Sequence, residues 1–173
     1  MFNTINACGR NAAILTLILL CSACGTSQHI ARLNDDYTAP PGTKIAVGTI
    51  TNSTGFEFDV DVVQMLTTAL ADALSKNDLL ASDTDGSRIV LNARIVDYEK
   101  GDAFKRWLMP GYGSTRLRVQ CDLVVGEKIV GSADTKRTVD AGGAYTIGAW
   151  QTIFKSTAED LVKDVAANLS VPE

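Results

Sequence analysis

The strongest constraint on the fold of this chain is a run of alternating side chains from Thr115 to Val125. Read as an extended chain, the run places apolar residues on one face and polar residues on the other. The apolar face consists of Leu117, Val119, Cys121, Leu123 and Val125, and the polar face of Arg116, Arg118, Gln120 and Asp122. Such alternation indicates a β-strand with one buried and one wet face, which is typical of antiparallel sheets.

Other segments predict the rest of a small α+β domain. Three further β-rich runs lie at Lys44–Thr51, Arg88–Glu99 and Lys128–Val139. Apolar residues recur at helical spacing from about Asp59 to Lys76 and from about Ala149 to Leu169. The element order is therefore β-α-β-β-β-α. We expect a single α+β domain in which two helices pack on one face of a mostly antiparallel sheet.

The segment before residue 25 has the features of an export signal. Arg10 precedes an apolar run from Ala12 to Leu20, and two small residues then lead into Cys24. This arrangement is typical of a secretory signal peptide. The apolar run is far shorter than the ~20 residues that span a bilayer. The segment resembles the lipobox of bacterial lipoproteins, in which a signal peptidase cuts before the cysteine and the cysteine carries the lipid.

This resemblance implies a lipoprotein signal peptide at residues 1–23 and a palmitoylated Cys24 at the start of the mature protein. Several acyl chains on one cysteine give a stable membrane anchor, which a single chain does not. The sequence departs from the lipobox at Cys21, where the family usually has leucine, and the alternative is an ordinary cleaved signal. Gly25 stands where an aspartate would favour inner-membrane retention, so the resemblance implies the periplasmic face of the outer membrane.

The next segment predicts a lipidated tether at residues 24–43. It is polar, lacks hydrophobic periodicity and ends in Pro40-Pro41-Gly42. A segment of this composition would hold the domain away from the lipid surface. The periplasmic α+β domain is then expected at residues 44–170.

Charge and cysteine content exclude several function classes. The chain carries 16 basic and 20 acidic residues, and the basic side chains are scattered, so we expect no nucleic-acid partner. Cys121 is the one cysteine in the sequence beyond Cys24, so we expect no intramolecular disulfide. Because Cys121 lies on the apolar face of its strand, we expect a buried and inert thiol.

The sequence predicts no catalytic residues, no metal site and no cofactor. The one histidine, His29, lies in the predicted tether, where its ring would not be held in place. Residues 83–86 share only part of the spacing of a calcium loop and are better explained as a turn. Asp59 or Asp61 is expected to cap the first helix rather than to act as an acid or base. We therefore expect a protein that is not an enzyme.

Several motifs resemble the family of domain of unknown function 4410. The matching residues are 97–102, Trp107, 111–114 and the strand at 117–124. That family is found in bacterial envelope lipoproteins. The layout is also similar to the periplasmic domain of the curli secretion lipoprotein CsgG and to the N-terminal domain of TolB. These are binding and assembly modules, so the resemblance implies a non-catalytic role, and no segment matches the CsgG pore-forming hairpins.

The loop from Phe104 to Tyr112 is apolar, aromatic and flanked by glycine. Its side-chain types are enriched at the centres of protein interfaces. The candidate partner-binding residues are Arg106, Trp107, Leu108, Met109 and Tyr112. One alternative folds Trp107 and Leu108 back onto the core. The other presents the loop to an envelope protein, a neighbouring copy or the bilayer, with Tyr145 of segment 141–148 beside it.

The sequence thus predicts a non-catalytic, membrane-anchored periplasmic lipoprotein that acts as a binding or assembly module in the cell envelope. The alternative is a subunit of an oligomeric secretion or trans-envelope complex that resembles CsgG. In either case lipid on Cys24 supplies the membrane contact. The expected partners are an envelope protein or further copies of the chain.

Overall fold

A computed structural model of the protein describes residues 26–82, 88–109, 112–140 and 147–169. The elements are β1 (Thr26–Leu33), β2 (Lys44–Asn52), α1 (Val62–Lys76), β3 (Arg88–Glu99), α2 (Ala103–Leu108), β4 (Thr115–Val125), β5 (Lys128–Val139) and α3 (Ala149–Leu169). The five strands form one sheet in the order β1-β5-β4-β3-β2. β2 and β3 run parallel because α1 forms a crossover between them, and the other neighbouring strands run antiparallel.

The strand register places the apolar face of β4 at the centre of the core. Ala93 on β3, Cys121 on β4 and Ala133 on β5 lie side by side and are buried. The helices α1 and α3 pack against each other and cover this face of the sheet. The predicted α+β class, the element order and the helix layer on one face are therefore confirmed. The edge strand β1 and the short helix α2 are additional elements.

Helix α1 begins where Asp61 caps it. The Asp61 carboxylate accepts a hydrogen bond of 2.8 Å from the backbone N–H of Gln64, as is typical of a helix N-cap. Of the two predicted capping residues, Asp61 is the one in use, whereas Asp59 accepts a hydrogen bond of 2.6 Å from Lys100. The core-facing stripe of the helix consists of Val62, Leu66, Ala69, Leu70, Ala73 and Leu74.

Residues 26–33 form the edge strand β1, although the sequence pattern predicts a tether there. The strand escapes prediction because the side chains that face the helix layer include polar ones. The Ser27 hydroxyl donates a hydrogen bond of 2.6 Å to Asp160, and Nδ1 of His29 lies 2.5 Å from the carboxylate of Asp164. Both carboxylates belong to α3, so polar contacts take the place of the apolar contacts that mark other strands.

Several predicted features lie outside the described residues. They are the signal peptide, Cys24, Gly25, the calcium-like turn at 83–86 and Tyr145. Residues 34–43, the remainder of the predicted tether, connect β1 to β2 without a helix or strand. Among the helices that are described, none is both long and apolar enough to span a bilayer.

Candidate functional site

The connection from β3 to β4 contains the short helix α2, which is capped by Asp102. Its Oδ1 accepts hydrogen bonds from the backbone N–H groups of Phe104, at 2.9 Å, and Lys105, at 3.1 Å. The bond from Lys105, followed by that from Phe104, lowers the pKa of the Asp102 carboxyl because both favour its charged form. Gly101 and Gly113 flank the helix with φ angles of +68° and +70°. The Asp102 N–H donates to the Gly113 carbonyl at 2.9 Å and closes the loop at its base.

Arg106 is only 3% exposed and lies beneath α2. Its Nη1 donates to the Gly113 carbonyl at 2.7 Å and to the Thr115 hydroxyl at 2.8 Å. The Thr115 hydroxyl donates in turn to the Lys100 carbonyl at 2.9 Å. The assignment of Arg106 to a partner-binding surface is therefore wrong, because the helix directs this side chain inward. Its charge instead ties α2 to the ends of β3 and β4.

Five apolar side chains among the described residues of this connection face solvent. We define the α2 patch as Phe104, Trp107, Leu108, Met109 and Tyr112. Phe104, Trp107 and Tyr112 are 67%, 65% and 66% exposed. The rings of Phe104 and Trp107 lie 6.0 Å apart, centre to centre, within the range of an aromatic pair. The alternative in which Trp107 and Leu108 fold back onto the core is therefore wrong.

Other exposed apolar side chains lie at the same end of the sheet as the α2 patch. Phe56, in the connection after β2, and Ile147, just before α3, are also exposed at this end. Lys100 pairs with Asp59 at 2.6 Å, and its Nζ lies 4.6 Å from the centre of the Trp150 ring. Lys100 thus joins the β2–α1 connection, the end of β3 and the start of α3. We define the apolar end as Phe56, Ile147 and the α2 patch.

The sequence pattern does not single out Phe56 and Ile147 because each lies in a connection between predicted helices and strands. The available signal for Phe56 is its position directly after the turn cluster at 52–55, where a large aromatic residue has no strand or helix to bury it. The fold alone brings both residues to the end of the sheet that carries the α2 patch.

The open face of the sheet carries charges that are paired across strands. Arg118 donates two hydrogen bonds to Asp134, at 2.9 and 2.7 Å. This contact lowers the pKa of the Asp134 carboxyl because it stabilises the charged form. Arg94 donates to Asp122 at 2.8 Å. These carboxylates already pair with arginines, so they are poor candidates for acid–base chemistry.

A groove of about 410 Å³ runs between α1 and α3. Phe154 and Met65 contribute apolar surface to it, and Asp61, Asp72 and Lys155 contribute charge. The Asp61 carboxylate is already engaged as the cap of α1. Within the described ranges, no three His, Cys, Asp or Glu side chains come together as metal ligands would.

His29 lies in β1 rather than in a tether, and its ring is held by Asp164. The expectation that this ring is not held in place is therefore wrong. A histidine paired with a carboxylate acts as a base when its other nitrogen meets a nucleophile. The nearby Ser27 hydroxyl donates to Asp160 instead. The pair of His29 and Asp164 is therefore best explained as a contact that attaches β1 to α3.

Cys121 is buried, as predicted from its place in the alternating strand. Burial, together with the nearby Asp122 carboxylate, raises the pKa of its thiol to about 12. Since the thiolate is the reactive species, we expect no reaction of the native mature protein with Ellman's reagent at about pH 8. One thiol per chain should react after unfolding in urea. Rapid reaction without urea would contradict the burial of Cys121.

A family model matches the part of the chain that contains this site. It is described as a domain of unknown function, DUF4410, and it matches residues 57–143. The match runs from α1 through β5 and includes the α2 patch. Among curated proteins, none matches the chain.

Solved structures with a similar fold include two of PelC from Paraburkholderia phytofirmans, both described as dodecamers. The first is 17% identical, has a TM-score of 0.55, and covers 80% of this chain and 97% of its own. The second is 16% identical, has a TM-score of 0.56, and covers 86% of this chain and 100% of its own. A Xanthomonas campestris protein described under the family DUF330 is 14% identical with a TM-score of 0.44, covering 79% and 91%. The likeness to PelC shows a shared fold.

Proposed function

The chain belongs to the DUF4410 family, and we propose that it acts as a non-catalytic, lipid-anchored binding module of the bacterial cell envelope. In this proposal Cys24 carries the lipid at the periplasmic face of the outer membrane, and the α2 patch forms the docking surface. The observation that carries the proposal is an exposed apolar patch built on a buried, hydrogen-bonded base.

The α2 patch has the composition of a binding surface. Contiguous exposed apolar patches mark interaction sites in folded proteins, and tryptophan and tyrosine dominate the energetic centres of interfaces. Asp102 caps the helix and Arg106 fastens it from below. Because this base already fixes α2, docking would cost the patch less conformational entropy than docking of a mobile loop.

The charged groups around the patch support binding rather than catalysis. A catalytic site needs a base, a nucleophile or an electrophile that converge on one reacting atom. Asp102 caps α2, Asp59 pairs with Lys100, and Arg106 bonds to the loop base. Each of these groups thus has a structural partner. These structural partners support the proposed non-catalytic role.

Lipidation is tested by metabolic labelling with palmitate. We expect Cys24→Ser to abolish incorporation of the label, because the acceptor thiol is lost. Cys21→Ser is the matched control and should incorporate as much label as the wild type, since Cys21 is expected to leave with the signal peptide. Membrane fractionation should place the labelled wild type with the outer membrane. Label that persists in Cys24→Ser would contradict the anchor.

Docking is tested by a photoreactive residue at position 107 in intact cells. Position 129 is the matched control, because Ile129 is exposed at the opposite end of the sheet. We expect the photoreactive residue at position 107 to give a discrete crosslinked species that the residue at position 129 does not give. The species identifies the occupant as lipid, a second copy or another envelope protein. An absence of crosslinks at position 107, or the same products at both positions, would contradict a docking role.

A second candidate function is that of a subunit in an oligomeric secretion or trans-envelope complex, as in the CsgG-like alternative. The observation that favours it is the fold shared with two PelC structures that are described as dodecamers. Mass photometry of the mature lipoprotein in lipid nanodiscs should then show multiples of the protomer mass. A protomer mass alone, at all protein concentrations, would contradict this candidate and leave the single-copy module.

A further inference from the structure

The strand register brings the start of β1 to the same end of the sheet as α2. Thr26 lies opposite Thr138 on β5, and Thr138 lies opposite Arg116 on β4. Arg116 lies opposite Glu99, the last residue of β3. These four residues form one row across the sheet. Since α2 connects the end of β3 to the start of β4, α2 lies at the same end of the sheet as the start of β1.

The proposed lipid attachment site lies next to this row. The two residues from Cys24 to Thr26 span at most ~7 Å. The strands β1, β5 and β4 are consecutive neighbours, so the start of β1 lies roughly 10 Å from the start of β4 at ~4.8 Å per strand. Acyl chains on Cys24 would therefore enter the bilayer close to α2 and hold this end of the sheet toward the lipid.

Exposed apolar side chains are concentrated at the same end. In the described part of the chain, seven of the ten exposed large apolar residues form the apolar end. Of the other three, Leu80 and Ile129 lie at the opposite end and Ile30 lies on β1. Tryptophan and tyrosine flanked by apolar residues are the side chains that settle at the headgroup level of a bilayer.

We infer that the lipid surface holding the anchor also covers the apolar end, with the α2 patch at the headgroup boundary and the sheet extending away from the membrane. This inference rests on the proposed lipid anchor at Cys24. The anchor makes contact between the patch and the bilayer an intramolecular event, so the effective concentration of lipid at the patch exceeds that of any diffusing partner. Phe56, Trp107 and Ile147 would share this contact.

Tryptophan fluorescence tests the inference with the mature lipoprotein in vesicles of phosphatidylethanolamine and phosphatidylglycerol. The chain has two tryptophans, so Trp150→Phe leaves Trp107 as the single emitter. Vesicles with brominated acyl chains quench rings that approach the hydrocarbon. We expect roughly twofold weaker Trp107 emission in them, because interfacial side chains reach ~5–10 Å into the headgroup and acyl boundary.

The matched control moves the emitter to the far end of the sheet. It carries Ile129→Trp together with Trp107→Phe and Trp150→Phe, and its emission should not change with bromination. Vesicle flotation and palmitate labelling of the same samples report on the anchor separately. A labelled, floating protein whose Trp107 emission is not quenched would overturn the inference while the anchor stands. A blue-shifted but unquenched Trp107 would show a protein occupant and overturn it as well.

Discussion

Phe154→Ala is expected to lower the free energy of unfolding by about 3–5 kcal/mol, the usual cost of removing a buried phenylalanine ring. Phe154 is buried on α3, and its ring centre lies 5.2 Å from that of Tyr98. Tyr98 meets Phe58 edge to face at 4.9 Å. The substitution would leave a cavity in a cluster that joins α3, β3 and the β2–α1 connection. Urea unfolding followed by circular dichroism measures the change.

Phe104→Ala is the matched control for this loss. It removes the same side chain from the α2 patch, where Phe104 is largely exposed. We expect a change within about 0.5 kcal/mol, as for most surface substitutions. A loss at Phe104 equal to that at Phe154 would show that the patch is part of the folded core. That result would also remove the basis for a docking surface.

A second large effect is expected from Gly101→Ala, which should lower the free energy of unfolding by about 3 kcal/mol. Gly101 has a φ angle of +68°, which costs a non-glycine residue about 1–2 kcal/mol. A Cβ atom there would also lie 2.6 Å from the Thr115 hydroxyl, and 2.7 Å from both Arg106 Nη1 and the Gly113 carbonyl oxygen. If these atoms moved apart to relieve the overlap, the hydrogen bonds of Arg106 beneath α2 would break. Urea unfolding again measures the loss.

Gly126→Ala separates backbone strain from steric overlap. Gly126 has a φ angle of +60° in the β4–β5 turn, and an added Cβ would meet nothing within 4 Å. Strain alone should therefore cost about 1–2 kcal/mol. If both variants lose the same stability, the tight contacts at the base of α2 do not constrain the loop, and the rigid support of the patch is contradicted.

The sheet and helix layer are predictable because their residues follow simple periods. The alternation of β4 and the apolar stripe of α3 each give element bounds that the structure reproduces at 115–125 and 149–169. β1 is different, because Ser27 and His29 occupy positions where an apolar residue would signal burial. Their partners on α3 lie far away along the chain, so no local pattern reveals them. A strand that is held by polar contacts with distant residues is therefore not predictable from its own sequence pattern.

The candidate site is predictable in its location but not in its detail. The composition of residues 104–112 indicates an interaction surface, and the exposure of Trp107 agrees with that reading. The sequence does not reveal that Arg106 turns inward. Its direction depends on the short helix that Asp102 caps and on the Gly113 carbonyl, which accepts a hydrogen bond from Arg106. The contribution of Phe56 depends on the parallel crossover, which makes β2 and β3 run toward the same end of the sheet.

The place of β1 in the sheet has a consequence for the order in which the chain folds. Although β1 is the first strand of the chain, Thr26 pairs with Thr138, and the Asn168 side chain of α3 donates to the Ala31 carbonyl at 3.0 Å. Contacts between such distant segments require closure of a long loop and form slowly. The full set of β1 contacts can form only once α3 is free to fold, which in the proposed exported lipoprotein means after α3 has left the export channel. Until β1 pairs with β5, the edge of β5 is open, and an unpaired edge recruits other strands, so this interval is when the chain is most exposed to edge-to-edge association.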